Sequence, residues 1–246
     1  VRYFRYQIGM KREGELHLEY GLTNLQNRII KTGKVQQIDI QENFILKKIG
    51  IVFLWLKQIS VLDGKKNQGM IHMPGLNKPE AEVILTQWQE QATKIKETAA
   101  VYRPHRRKIL MRMIQRSLLL LPIGAVLLYN QADMPMVVWG IYALVSLLMY
   151  SVPALAYRNE RLYITDGFIL HQYGIWEITQ SIMPMYKVQR VTYGQKAWHK
   201  KHGLSSLVIA NAAGSIDLHV YDITVIKALR DHLLYQVSAQ PKDWLS

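Results

Sequence analysis

Two passages of this chain repeat one another in register, 153 residues apart, on either side of a long apolar block. Lys34-Val35-Gln36 returns as Lys187-Val188-Gln189. Lys47-Lys48-Ile49-Gly50-Ile51 returns as Lys200-Lys201-His202-Gly203-Leu204. Tyr20-Gly21-Leu22 and Tyr173-Gly174-Ile175 keep the offset, as do Glu13-Gly14 and Asp166-Gly167. The register runs without a gap from about Phe4/Tyr157 to Leu56/Ile209. A repeat of this kind means a duplicated structural unit, and it limits the folds open to the chain more than any local propensity does.

The block between the copies reads as a membrane hairpin. Residues 109–129 and 136–157 are each about 20 residues long, which as helices span roughly 30 Å, the thickness of a bilayer core. The second stretch carries no charge, where a soluble helix of that length would show a polar face. Arg112 and Arg116 enter the start of the first and can reach back toward the headgroups. Pro122 and Pro153 fit membrane helices if neighbours satisfy the carbonyls they leave free. The short link at 130–135 holds Asp133 and no lysine or arginine. Arg103, Arg106, Arg107, Lys108, Arg112 and Arg116 lie before or within the start of the first stretch, and Arg158 and Arg161 follow the second. Positive residues stay inside, so both copies are expected in the cytoplasm and the link outside. The reading is a multi-pass protein of the cell inner membrane.

Each copy reads as short strands closed by a helix. In the second, 161–165 and 168–173 flank the tight turn Asp166-Gly167. Gly174 breaks the strand, 175–183 resumes it, and Pro184 separates it from 188–193. Strands at 204–210 and 216–220 follow. Asp222 then caps a helix to about 237, with Val225, Ile226, Leu229, Leu233 and Leu234 at helical spacing. The first copy ends the same way, with Pro79 in the first turn and Val83, Ile84, Leu85 and Trp88 on the apolar face. The expected class is α+β, a β-sandwich or partial barrel plus a C-terminal helix, twice. The expected divisions are 1–98, a basic juxtamembrane segment and hairpin at 99–158, 159–238, and a tail at 239–246. Val1 to Tyr6 reads as a strand already under way, so the chain is expected to be a piece of a longer protein.

Pro184-Met185-Tyr186-Lys187-Val188-Gln189-Arg190-Val191 and His202-Gly203-Leu204-Ser205-Ser206-Leu207 in copy two resemble the bacterial pleckstrin-homology-like domain. Lys34-Val35-Gln36-Gln37-Ile38 and Ile49-Gly50-Ile51 carry the match in copy one, which departs by having Lys31 where copy two has Pro184. With the duplication and the hairpin, the chain is similar to the YdbS/YdbT-like membrane proteins. The resemblance implies two PH-like domains flanking a transmembrane α-helical hairpin. It implies no catalytic activity, and it associates some members with resistance to antimicrobial compounds.

Chemistry-bearing motifs are scarce. There is no cysteine, which excludes disulfides, thiolate zinc sites and cysteine nucleophiles. No G-x-S-x-G, H-E-x-x-H, P-loop or G-x-G-x-x-G occurs. His199 and His202 are spaced i, i+3 without a third ligand nearby, so no metal or cofactor is assigned. The net charge of +13 suits anionic lipid or nucleic acid, but the positive residues gather beside the membrane stretches and no reading motif accompanies them. Candidate headgroup contacts are Arg103, Arg106, Arg107, Lys108, Arg112, Arg116, Lys196, Trp198, Lys200 and Lys201, each cation near such a surface adding about 1 kcal/mol. For the Lys47-Lys48 and Lys200-Lys201 passages a solvated loop, its tryptophan packed on its own domain, stands as the other reading. Lys34, Val35, Gln36, Gly50, Lys187, Val188, Gln189 and Gly203 are read as structural. The two glycines supply either a special backbone conformation or a close approach.

The expected function is a non-enzymatic scaffold or binding module at the inner membrane surface, or else an accessory of transport or antimicrobial resistance. Its expected partners are membrane lipids and a protein or a second copy, with no nucleic acid and no small-molecule substrate.

Overall fold

The computed structural model describes residues 7–12, 15–20, 26–58, 69–130 and 135–239. The strand at the chain start, the turn at Glu13-Gly14, most of the 130–135 link and the tail beyond 239 lie outside them. Copy one contains β1 (Gln7–Arg12), β2 (Glu15–Tyr20), β3 (Gln26–Lys31), a 3-10 turn (Thr32–Lys34) and β4 (Val35–Asn43). It continues with α1 (Phe44–Ile49), β5 (Ile51–Gln58), β6 (Met70–Asn77), α2 (Lys78–Trp88), a short 3-10 turn (Glu90–Ala92) and α3 (Ile95–Thr98). After β7 (Ala100–Tyr102) come the long helices α4 (Arg107–Tyr129) and α5 (Met136–Asn159). Copy two contains β8 (Arg161–Ile164), β9 (Phe168–Gly174), β10 (Glu177–Pro184), a 3-10 turn (Met185–Lys187) and β11 (Arg190–Gly194). It closes with α6 (Ala197–Lys200), β12 (Leu204–Ala210), β13 (Ser215–Asp222) and α7 (Ile223–Ala239).

The duplication is structural, element for element: β1 to β5 of copy one recur as β8 to β12, with the 3-10 turn Thr32–Lys34 and α1 recurring as the 3-10 turn Met185–Lys187 and α6. Gly50 and Gly203 end those short helices with φ of 71° and 63°. Nothing lies within 4 Å of where either Cβ would sit, so the left-handed conformation, rather than a close approach, asks for glycine. Gly174 differs: a Cβ there would meet the Glu177 carbonyl oxygen at 1.8 Å.

The two copies are not separate beads. Their strands form one seven-stranded sheet in the order β6-β5-β4-β10-β9-β8-β7, between the three-stranded sheets β1-β2-β3 and β11-β12-β13. The seam is β4 against β10, antiparallel, from Glu177 opposite Asn43 to Ile182 opposite Ile38. Strand side chains alternate between faces. Tyr163, Phe168, Leu170 and Ile182 therefore enter the core of copy one, beside Ile38, Leu54, Ile84 and Trp88. Their neighbours Leu162, Ile169 and Met183 enter the core of copy two, beside Leu207, Ile216, Ile226 and Leu233. Within the middle sheet, β8 to β10 send side chains into both cores, one from each face.

The hairpin helices pack mainly on each other. Both are long and apolar enough to cross a membrane, and their apolar side chains are mostly exposed. Tyr142 donates to the Leu120 carbonyl at 3.1 Å across a gap that Gly124 keeps open, since a Cβ on Gly124 would lie 2.6 Å from the Tyr142 hydroxyl. The Ser117 and Tyr150 hydroxyls meet at 2.7 Å. Pro153 leaves the Met149 carbonyl without its intrahelical donor, and Arg116 donates to that carbonyl from α4. The side chain expected to reach back to headgroups thus repairs the backbone of the other helix.

Candidate membrane-facing surface

Strand order fixes which end of the molecule meets the helices. α5 runs directly into β8, whose first residue Arg161 pairs with Gln172 near the end of β9. The end of β9 lies beside the start of β10, with Gly174 opposite Ile178, and the start of β10 lies beside the end of β4. β7 runs toward the same end, with Tyr102 opposite Leu162, and delivers the chain to α4. Asn159 ties α5 to that edge: its side chain donates to the Gly174 carbonyl at 3.2 Å, and its own carbonyl accepts from Gln172 at 3.1 Å. The base of α4 is held by the His105 N–H donating to the Val220 carbonyl at 2.8 Å. Val220 sits at φ 62°, a conformation costly for a β-branched residue, at the point where β13 meets the helix root.

Beneath the root, three charged or ionisable groups come together. Lys108 donates to the Glu160 carboxylate, and His171 Nε2 lies 3.5 Å from the same oxygen, all three side chains being buried. Burial pushes the Glu160 carboxyl up. His171 and Lys108 beside it outweigh that and hold it below its usual range. Lys108, one of the expected headgroup contacts, is therefore spent inside the fold. Arg112 lines the same cleft of about 280 Å³, together with Lys57 and His219.

The other candidates gather around the root. Arg103 and Arg106 are exposed and Arg107 is half-buried. α6 carries Trp198 and Lys200, flanked by Lys196 and Lys201, and the three lysines are exposed. The His202 that follows feels the positive charge of Arg107 and Lys201. Partial burial first, and that charge second, hold its pKa below the usual value. Trp198 is 39% exposed and stands edge-on to His202 at 5.2 Å, so part of its ring packs on its own domain and part faces outward. His199 points inward and is buried.

The repeat puts a second short helix on the same end. α1 follows the end of β4 and exposes Phe44, Ile45 and Ile49, with Lys47 and Lys48 among them. Lys48 Nζ lies 4.7 Å from the centre of the Phe44 ring. Trp176, 79% exposed, stands in the β9–β10 turn beside that helix. Phe44, Lys47 and Trp176 line one cleft with Asn159, the last residue of α5. The sequence reading gave Phe44, Ile45 and Ile49 no site role, and it counted Trp176 with Ile178 and Ile182 in the apolar alternation of a strand over 175–183, whereas β10 starts only at Glu177 and leaves Trp176 in the turn. A tryptophan within a strand-breaking turn was the available signal, since such a position has no core to fill.

The repeat motif has divided roles. Val35 and Val188 are core residues, while Lys34 and Gln189 are exposed. Gln36 is fully buried, and its carbonyl accepts from Asn211 of the other copy at 3.1 Å. Lys187 is 1% exposed and crosses the seam, donating to the carbonyls of Gly33 and of Val35, the latter at 3.0 Å. Burial lowers its pKa to about 8. Gln89 of copy one donates to the Tyr186 hydroxyl at 2.5 Å.

A sequence model of the family described as Bacterial PH domain matches residues 1–92 and 118–237. The chain is also similar to the UPF0699 transmembrane protein YdbT of Bacillus subtilis (strain 168), at 24% identity over 226 residues. That match takes in 91% of this chain and 44% of the relative, so the chain spans a little under half of the relative's length.

Proposed function

We propose that this chain, which belongs to the bacterial PH domain family, is a non-enzymatic, membrane-anchored binding module whose two PH-like units lie against the inner leaflet on the cytoplasmic side. It is a membrane protein with PH-like domains joined by an apolar helical hairpin. One observation carries the reading: both roots of the hairpin and both repeat-equivalent helices, α1 and α6, leave the fold at the same end. That end carries Arg103, Arg106, Arg107, Lys196, Lys200 and Lys201 along with exposed Phe44, Trp176 and Trp198. Cations draw anionic headgroups, and amphipathic aromatics settle at the level of the headgroups. The middle sheet fixes the spacing of the two units, so a partner bound to either is held at a set distance from the bilayer.

The chain has no native cysteine, so single cysteines report topology cleanly. In intact cells a membrane-impermeant maleimide is expected to label Ala132→Cys and to leave Lys200→Cys unlabelled until the cells are opened. Labelling of Lys200→Cys in sealed cells would overturn the orientation and the leaflet assigned with it.

A further inference from the structure

The joint between the two copies has a receiving half and an inserting half. The receiving half is the outer edge of β4 together with the end of α2 and the turn after it. Trp88 stands edge-on to Phe168 at 6.3 Å, Gln89 bonds Tyr186, and Ala92 and Ile95 share a core with Leu170 and Ile182. The inserting half is β10 with the outer face of β8 to β10.

Copy two possesses its own receiving half. β11 is the counterpart of β4, and among the described residues its outer edge is unpaired, because β11 is terminal in its sheet. α7 is the counterpart of α2, and it runs on to Ala239 where α2 ends at Trp88. With the two helices aligned from their first residues, Lys78 and Ile223, the positions matching Gln89, Glu90 and Ala92 are Leu234, Tyr235 and Val237, respectively 54%, 68% and 45% exposed. A bare strand edge beside apolar side chains is a site for strand addition.

The occupant is not a second copy of this chain. Its free inserting half would be β3 and the outer face of β1 to β3. There Glu15, His17 and Ile29 occupy the positions of Phe168, Leu170 and Ile182, and His17 Nε2 lies 3.9 Å from the Glu15 carboxylate. A glutamate and a histidine in place of Phe168 and Leu170 suit a terminal face, as in capping repeats, and would be costly to bury.

We infer that the β11 edge and the exposed Leu234, Tyr235 and Val237 of α7 receive the first sheet of a further, non-identical bacterial PH module whose outer face is apolar. The inference goes beyond the proposed function, because it names a partner and a docking mode that hold whichever side of the membrane the units face. It extends to β11 the antiparallel register already seen at β4, where Ser181 lies opposite Asp39, the counterpart of Thr192.

The test is cross-linking in native membranes. A thiol-to-amine reagent on Thr192→Cys is expected to give an adduct whose sequenced peptide lies in the first sheet of another bacterial PH module, in the same polypeptide or in a separate one. Adding Leu234→Glu and Val237→Glu, both at exposed positions, is expected to lower the adduct yield at least tenfold. Four results would overturn the inference: no adduct, an adduct only to residues 240–246, an adduct only to residues 26–31 of a second copy, or a yield the glutamates leave unchanged. The maleimide labelling above reports sidedness separately, so the two readings fail independently.

Discussion

Replacing Lys187 with methionine should change how stability responds to pH. Among the described residues the Lys187 ammonium has no carboxylate partner; it donates to the carbonyls of Gly33 and Val35, and its Nζ lies 5.6 Å from the centre of the Tyr186 ring. Burial lowers its pKa from 10.5 to about 8. With the folded value below the unfolded one, the native state loses this proton first. The unfolded chain then binds more protons, so stability rises with pH from about 8 toward 10.5. At 1.36 kcal/mol per unit, the group contributes about 2 kcal/mol of added stability between roughly pH 7 and roughly pH 9.5. For a protein of this size that is a shift of about 4–8 °C in Tm. Lys187→Met removes this pH dependence, while the Val35 carbonyl keeps the Trp88 indole N–H at 3.3 Å as a donor. Thermal unfolding of both proteins in one detergent, at both pH values, gives the double difference, in which other titrating groups cancel. Wild type should gain on the variant by that amount as the pH rises. Parallel pH responses would refute the view that a charged lysine is buried at the seam.

Two further substitutions probe the hairpin and its root. Glu160→Gln leaves the buried Lys108 ammonium without its carboxylate and should cost about 3–5 kcal/mol, most of it recovered in Glu160→Gln/Lys108→Met, as read by detergent unfolding curves. No recovery in the double variant would mean that Glu160 acts through something other than Lys108. Arg116→Leu removes the donor to the Met149 carbonyl opposite Pro153 and should destabilise the helix pair by about 1–3 kcal/mol. Pro153→Ala restores the intrahelical bond and should make the arginine dispensable, which a double-mutant cycle measures directly.

Local and periodic signals were enough to reveal the duplication, the two membrane-length helices, the terminal helix of each copy and the Asp166-Gly167 turn. Each is written in consecutive residues: a fixed offset, an uncharged run, a 3.6-residue period, a turn dipeptide. The glycines at 50 and 203 were legible as special, and the structure decided between the two reasons for them. The basic cluster was legible as a group, since charge next to an apolar run needs no tertiary information. The fate of Lys108 was not, because its carboxylate lies 52 residues away, across the hairpin.

What the sequence by itself determined is a pair of like units on either side of a bilayer-length hairpin. What only the tertiary structure decided is that the units share a sheet. Strand pairing between β4 and β10 uses backbone groups, which every residue carries alike, so no side-chain pattern announces it. Its one trace is that the start of β9 is apolar on both faces, with Phe168-Ile169-Leu170 where copy one has Glu15-Leu16-His17. Seen alone that run fits any buried strand. The seam explains it, because each face of that sheet fills a different core, and Lys187 is buried where its twin Lys34 is exposed for the same reason.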